Sequence, residues 1–380
     1  MNTVPQALLL VNVYLLFQTC YCTTNPSPLL YKSDVTDVVE LSQVTIPTPI
    51  HSQNMSEHSI SRAYPYVCDS KPQSYWDYEN IKLKWSPPSN YDVVYRIGGG
   101  RYSDVYKAID NRTEKKVAMK VLKPVKTNKI KREVKILQTL THGPNIVKLL
   151  DTVRDAETDA PSLVMEYVKN TELKKWTSSL SLLDIKCYIY QLLLALEHCH
   201  SHGIMHRDVK PGNVVFDYRR RQLRLIDFGL AEFYHSGYEY GVRVATRYYK
   251  APELLVGLST YDYSIDMWSV GCILAGLQFG KQPFFEGIDN EDQLVRIVEV
   301  LGSDGLFEFC EKYNLKCDNI DDVWGHDRVS WITFLFDENE HLVTTQGLDL
   351  LDKILVYDHW ERLTAGEALS HPFFDDVRND

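Results

Sequence analysis

Three short runs follow one another in the second half of the chain: His206-Arg207-Asp208-Val209-Lys210-Pro211-Gly212-Asn213, then Asp227-Phe228-Gly229, then Ala251-Pro252-Glu253. Their residue types suit phosphoryl transfer. That reaction asks for a hydroxyl held in orientation, phosphates kept in line and developing charge neutralised, with little covalent help from the protein. Asp208 is the candidate to accept or orient the hydroxyl proton, and Lys210 to neutralise the transferred phosphate. Asn213 and Asp227 offer hard oxygen donors of the kind Mg2+ prefers. Upstream, Lys120 closes the run Val117-Ala118-Met119-Lys120 and has the reach to meet phosphate oxygens, while Glu133 follows thirteen residues later to fix its ammonium. A lysine and a glutamate so placed are weak evidence alone, because both types usually sit solvated on the surface. Three motifs in this order leave little room for coincidence.

Gly98-Gly99-Gly100-Arg101-Tyr102-Ser103 has glycine at two of the three positions of a GxGxxG pattern and Ser103 at the third. Such a turn lets backbone N–H groups approach phosphate oxygens, and it is also an ordinary hairpin. A strand rather than a helix follows it, which excludes a dinucleotide-binding crossover.

These residues need elements to position them. YDVVYRI from Tyr91, DVYKAID from Asp104 and KKVAMKVL from Lys115 are short β-branched runs separated by turn segments, and predict three antiparallel strands. Ile130, Val134, Ile136, Leu137 and Leu140 recur at helical spacing, so Thr127 to Leu140 reads as a helix. NIVKLLDTV and SLVMEYV supply two more strands, completing a sheet-plus-helix unit that ends near Tyr167. Beyond it the pattern turns mostly helical, with long helices expected over Leu182 to His202 and Tyr263 to Phe279 and a last one over Thr364 to Ser370.

With 380 residues, 44% of them hydrophobic and 24% charged, the chain is long enough for a sizeable core. Its formal charge of -10 argues against a dedicated nucleic-acid or anionic-membrane binder, so any acidic partner needs a local basic patch. Cys20, Cys22, Cys68, Cys187, Cys199, Cys272, Cys310 and Cys317 are scattered without a CxxC pair and read as reduced and packed. Residues 7–17, ALLLVNVYLLF, followed by TCYCTT, have the outline of a secretory signal over residues 1–22 and are too short to span a bilayer. No Lys or Arg precedes them and Asn12 interrupts them, so the leader stays open as a signal or as residues preceding a start at Met55. An exported chain would make Asn54-Met55-Ser56 a glycosylation sequon; a start near Met55 points to cytoplasm and nucleus. Residues 23–65, rich in Ser, Thr, Pro and Asn, read as a disordered linker.

From Tyr91 to Phe374 the motifs resemble the eukaryotic protein kinase family. That resemblance implies an α+β bilobal fold, with a small antiparallel sheet lobe carrying one main helix (residues 91–167) and a larger, mostly helical lobe (168–374). Residues 66–90 would pack on the domain, and 375–380 would be a tail. It implies transfer of the γ-phosphate of ATP with Mg2+, and a nucleotide site of Ile97, Gly98, Gly99, Gly100, Arg101, Tyr102, Ser103, Asp104, Val105, Ala118, Lys120, Glu166 and Val168. Lys210, in HRDxKxxN, resembles the serine/threonine branch. Closer still is the catalytic α subunit of casein kinase II, through YWDYE from Tyr75, LKPVK from Leu122, IKRE from Ile130, GLAEFYH from Gly229, YDYSIDMWS from Tyr261 and YDHWERLTA from Tyr357.

This closer resemblance implies a kinase for Ser or Thr followed by Asp or Glu. Acidic substrates would be met by Lys126, Lys129, Lys131 and Arg132, and by Arg243, Arg247 and Lys250. It implies constitutive activity, with residues 74–85 packed on the activation segment in place of a phosphate switch. A regulatory β-subunit dimer would dock on Val93, Tyr106 and Val121. The sequence departs from that subfamily at Thr127 and Asn128, which interrupt the basic run, at Phe228, at Gly212, and at Ala118 and Met165, which put GTP use beside ATP in doubt. The alternative to an enzyme is a catalytically weak scaffold that binds a regulatory subunit.

Overall fold

The computed structural model describes residues 60–170, 180–317 and 321–378. The leader, the sequon and most of the expected linker lie outside these residues. Strands β1 (Tyr91–Gly99), β2 (Ser103–Asp110), β3 (Lys115–Leu122), β4 (Leu149–Arg154) and β5 (Pro161–Glu166) form one antiparallel sheet in the order β1-β2-β3-β5-β4. Period-two alternation divides its side chains between two faces. Val117 and Met119 of β3 join Ala108, Val153, Val164 and Tyr91 on one face. On the other, Leu122 and Leu163 pack with Ile130 and Val134 of helix α1 (Thr127–Thr139). Lys120 shares β3 with these residues and alternates to the α1 face, which is why a strand lysine can meet a helix glutamate.

This alternation leaves part of the expected docking surface covered. Tyr106 was expected to face outward toward a partner, yet it is buried on the sheet, and Val93 and Val121 are half-buried against the Val117 face. Asp104 lies two residues from Tyr106 on the same face, away from Lys120.

The larger lobe is built around α2 (Leu182–Ser201) and α4 (Ser264–Gln278). A reciprocal Ser181/Asp184 capping box starts α2. Every residue of α4 from Ile265 to Gln278 is buried, as expected for a helix that is apolar on all sides. Between them, short paired strands carry the chemical motifs: β6 (Ile204–Met205) with β9 (Glu232–Phe233), and β7 (Val214–Asp217) with β8 (Gln222–Leu225). Helix α3 (Pro252–Leu255) precedes α4, and α5 (Asn290–Leu301), α6 (Asp304–Lys312), α7 (Thr345–Ile354) and α8 (Ala365–Leu369) follow it. Sheet lobe and helical lobe together make the expected α+β bilobal arrangement. Among the described residues no helix is long and apolar enough to cross a membrane.

Two further expectations need correction. The ordered chain begins before residue 66: the Ser61 N–H donates to the Tyr234 hydroxyl at 2.8 Å, and Arg62 makes a two-point ion pair with Glu367 at 2.6 Å. Polar composition hid these long-range partners. Nor are all the cysteines reduced, since Cys310 and Cys317 are joined by a disulfide while Cys68, Cys187, Cys199 and Cys272 remain thiols.

Candidate active site

The catalytic carboxylate candidate sits on a loop fixed from behind. Asp266, near the start of α4 and almost wholly buried, accepts the backbone N–H groups of His206 and Arg207, each at 2.8 Å, and lies 3.1 Å from His200 Nε2. Burial alone would raise the Asp266 pKa, but these donors outweigh it and hold it below the ordinary carboxylate range. Asp266 was missed in the sequence. Its available signal was an acid inside an otherwise apolar helix.

In front of that anchor, Asp208, Lys210, Asn213 and Thr246 form one closed network. Lys210 Nζ donates to Asp208 Oδ2 at 2.8 Å and to Thr246 Oγ1 at 2.7 Å, and the Thr246 hydroxyl donates to Asp208 Oδ1 at 2.7 Å. Asn213 Nδ2 donates to the Asp208 backbone carbonyl at 2.8 Å and to its Oδ2 at 2.9 Å. With its amide nitrogen so used, Asn213 keeps its carbonyl oxygen free of hydrogen bonds among the described residues. Gly212 is not a steric necessity, because a Cβ there would meet only Lys210 Cε, at 3.8 Å.

The second cluster joins the two lobes. Lys120 Nζ is 2.6 Å from Glu133 Oε1 on α1 and 2.7 Å from Asp227 Oδ1, with Lys120 6% and Glu133 4% exposed. Burial would lower the Lys120 pKa; the two carboxylates outweigh it and hold the ammonium above its usual value. The same ammonium depresses Asp227 against the opposing effect of burial. Asp227 has φ +60°, a left-handed backbone sparsely used by residues other than glycine, which turns its carboxylate toward Lys120. A Cβ on Gly229 would come within 3.3 Å of Asp227 Oδ1, so glycine keeps this corner open.

Gly98 and Gly99 end β1, paired with Val105 and Asp104, and Gly100, Arg101 and Tyr102 form the turn to β2, closed by a bond from the Gly100 N–H to the Ser103 carbonyl at 2.8 Å. Ile97 is exposed beside it. Val105 pairs with Lys120, and Ala118 with Met165, so both belong to the Lys120 face of the sheet. Val168, just beyond β5, is half-buried.

Two members of the expected nucleotide set have other partners. Asp104 binds Arg96 at 2.8 Å and Lys123 at 3.4 Å. Glu166 pairs with Val117 in the ladder, which places its side chain off the Lys120 face, where its Oε1 meets Arg224 Nε at 3.0 Å.

The expected basic surface divides in the same way. Lys126 and Lys129 are exposed, with Lys129 Nζ over the Tyr102 ring at 5.5 Å. Lys131 instead donates to the Glu79 carbonyl at 2.7 Å, and Arg132 holds Glu232 at 2.5 Å, so neither is an unoccupied cation. On either side of Thr246, Arg243 is exposed and Arg247 donates through one nitrogen to the carbonyls of Gly287, at 3.1 Å, and Ile288. Lys250 is 7% exposed and has no carboxylate partner among the described residues; burial, aided by Arg247, pushes its pKa down.

Residues 61–85 join the activation segment to α1. Tyr75 packs its ring on Phe233 and Trp76 on His235, while His235 Nδ1 lies 3.0 Å from Asp69. Lys135 of α1 donates to the Ser74 carbonyl at 2.8 Å. Arg207, beside the catalytic aspartate, donates to the Leu230 carbonyl at 2.7 Å and the Tyr261 hydroxyl at 3.0 Å, and lies 3.4 Å from Glu232.

A lysine–glutamate pair of the sheet lobe that reaches across to Asp227, a loop aspartate with its lysine and asparagine, and a glycine beside Asp227 define a phosphotransferase cleft. A profile of the protein kinase domain matches residues 91–374, the greater part of the chain, and the chain therefore belongs to the protein kinase family. Members of that family use ATP and Mg2+ in general and act on proteins.

Proposed function

We propose that this chain is a serine/threonine protein kinase, similar to the casein kinase II catalytic subunit, that phosphorylates Ser or Thr with acidic residues downstream. The observation that carries the reading is the network in which Lys210 bridges Asp208 and Thr246. Asp208 is held with both carboxylate oxygens spoken for, ready to exchange the Thr246 hydroxyl for an incoming substrate hydroxyl and to take up its proton. Lys210, two residues away, supplies positive charge where the transferred phosphoryl group develops its own. Lys120 holds the donor phosphates, and Glu133 keeps its ammonium extended. The side-chain oxygen of Asn213 and the Asp227 carboxylate are hard donors that would hold Mg2+. Bound there, the ion would neutralise phosphate charge.

Acid preference rests on Arg243, Arg247 and Lys250, which flank Thr246 along the chain, close to the Asp208 network that Thr246 joins. Lys250 supports it most, as a buried cation without a carboxylate. Activity without a phosphate switch rests on Arg207, whose guanidinium already has Glu232, Leu230 and Tyr261 as partners. The test is Mg2+-dependent transfer from labelled ATP to three peptides differing only in a Ser, Thr or Tyr acceptor. The reading expects transfer to Ser and Thr; transfer to Tyr alone overturns it, and no transfer leaves the scaffold.

A further inference from the structure

The disulfide between Cys310 and Cys317 has no part in the chemistry described above, and its place in the fold gives it one. Cys310 lies two residues before the end of α6, and Cys317 closes the loop that follows, with their Cα atoms 6.5 Å apart. Both are buried. Directly between them stand the two residues that clamp Asp358: Lys312 Nζ reaches Asp358 Oδ2 at 2.5 Å, and the Tyr313 hydroxyl donates to Asp358 Oδ1 at 2.9 Å. Asp358 in turn organises a tight turn, accepting the Trp360 N–H on its side chain and the Glu361 and Arg362 N–H groups on its carbonyl. Arg362 leaves that turn to make a wholly buried two-point ion pair with Glu253, at 2.7 and 3.1 Å. Glu253 begins α3, three residues after Lys250.

We propose that the Cys310–Cys317 pair is a reversible redox modification site that braces the activation segment from behind. Oxidised, the bridge keeps the last turn of α6 and the Lys312/Tyr313 clamp in place; reduced, that turn is free to fray, as helix ends with few partners do. The oxidant is a disulfide reached by thiol exchange. One cysteine thiolate attacks it to give a mixed disulfide and one released thiol. The second thiolate then displaces the other thiol, so two cysteine thiols and one external disulfide become one internal disulfide and two external thiols.

The mass and melting tests below stand apart from the kinase reading; only the kinetic one rests on it. Trypsin cuts after Lys312 and Lys316, so the two cysteines fall in different peptides unless the bridge joins them. The full chain, exposed to oxidised glutathione, alkylated without reduction and digested, should give the linked pair, and after dithiothreitol the two separate alkylated peptides. Reduction should lower the Tm of the wild type by about 3–6 °C, the range expected for opening a short loop in a domain of this size. Cys317→Ser should start at the reduced value and not respond to dithiothreitol. Reduction should also raise KM for an acidic peptide about threefold with kcat little changed, a size usual for coupling through packed elements. Both cysteines alkylated after glutathione treatment overturns the site. A linked pair whose reduction leaves Tm and KM unchanged, or a Cys317→Ser variant that still responds, overturns the brace. Should Cys317→Ser not fold, the wild-type comparison with and without dithiothreitol decides alone.

Discussion

At the residue scale, charges that would be costly alone are made useful by their partners. Lys120 is buried and stays an ammonium because Glu133 and Asp227 lie within 2.7 Å. Lys250 is the opposite case, an ammonium whose burial, aided by the Arg247 cation, makes its proton held less tightly than usual. Its sign makes a pH prediction. Below its lowered pKa the ammonium is present and attracts an acidic substrate; as pH rises through that value, ahead of the ordinary lysine range near about 10.4, the attraction is lost. KM for an acidic peptide should therefore climb with pH earlier than an unperturbed lysine would allow, and Lys250→Arg should flatten the climb. A KM that stays constant to that range would remove Lys250 from the substrate site. The contiguous motifs around these residues were legible because phosphoryl transfer needs particular types at short spacing. What the sequence hid were side chains whose partners are distant. The side chains of Asp104 and Glu166 alternate off the Lys120 face of the sheet and meet Arg96 and Arg224, partners that linear spacing does not show. Lys131 and Arg132 look like exposed cations until Glu79 and Glu232 come back to them in space.

At the scale of elements, periodicity placed β1, β2, β3, β5, α1, α2 and α4 within a residue or two, because each buries one face or, for α4, its whole circumference, while β4 starts at Leu149, four residues later than expected. The N-terminal segment has no periodicity, and its order comes largely from partners distant in sequence, such as Lys135 donating to the Ser74 carbonyl at 2.8 Å and the Tyr75 hydroxyl donating to the His202 carbonyl at 3.0 Å. Those contacts tie α1, which carries Glu133, to the segment that carries Phe233 and His235. Deleting residues 61–85 should therefore lower kcat by at least about tenfold, equal to about 1.4 kcal/mol of barrier. Tyr75→Ala combined with Trp76→Ala should move in the same direction while the domain remains folded by circular dichroism. Full activity in the deleted protein would show that the segment only decorates the surface.

At the scale of the whole molecule, one buried ion pair joins neighbouring elements, Lys120–Glu133 between sheet and helix, and a second joins distant ones, Arg362–Glu253 between the last third of the large lobe and the activation segment. The second is fully buried on both sides, so Arg362→Ala leaves a carboxylate without water or partner and should cost about 3–5 kcal/mol, read as a lower denaturation midpoint. A loss below about 1 kcal/mol, the size of an exposed pair, would mean that water reaches Glu253. The proposed preference for acidic substrates is compatible with an acidic net charge when the cations that serve it, Arg243, Arg247 and Lys250, are confined to the few residues around Thr246. The most direct measurement of the account is labelled phosphate transfer from ATP with Mg2+, to an acidic Ser peptide and to its Ala-for-Glu variant, by the wild type and by Asp208→Asn. Transfer to the acidic peptide alone, reduced about a hundredfold or more in Asp208→Asn, is the predicted result. Equal use of both peptides, or transfer that survives in Asp208→Asn, would contradict it.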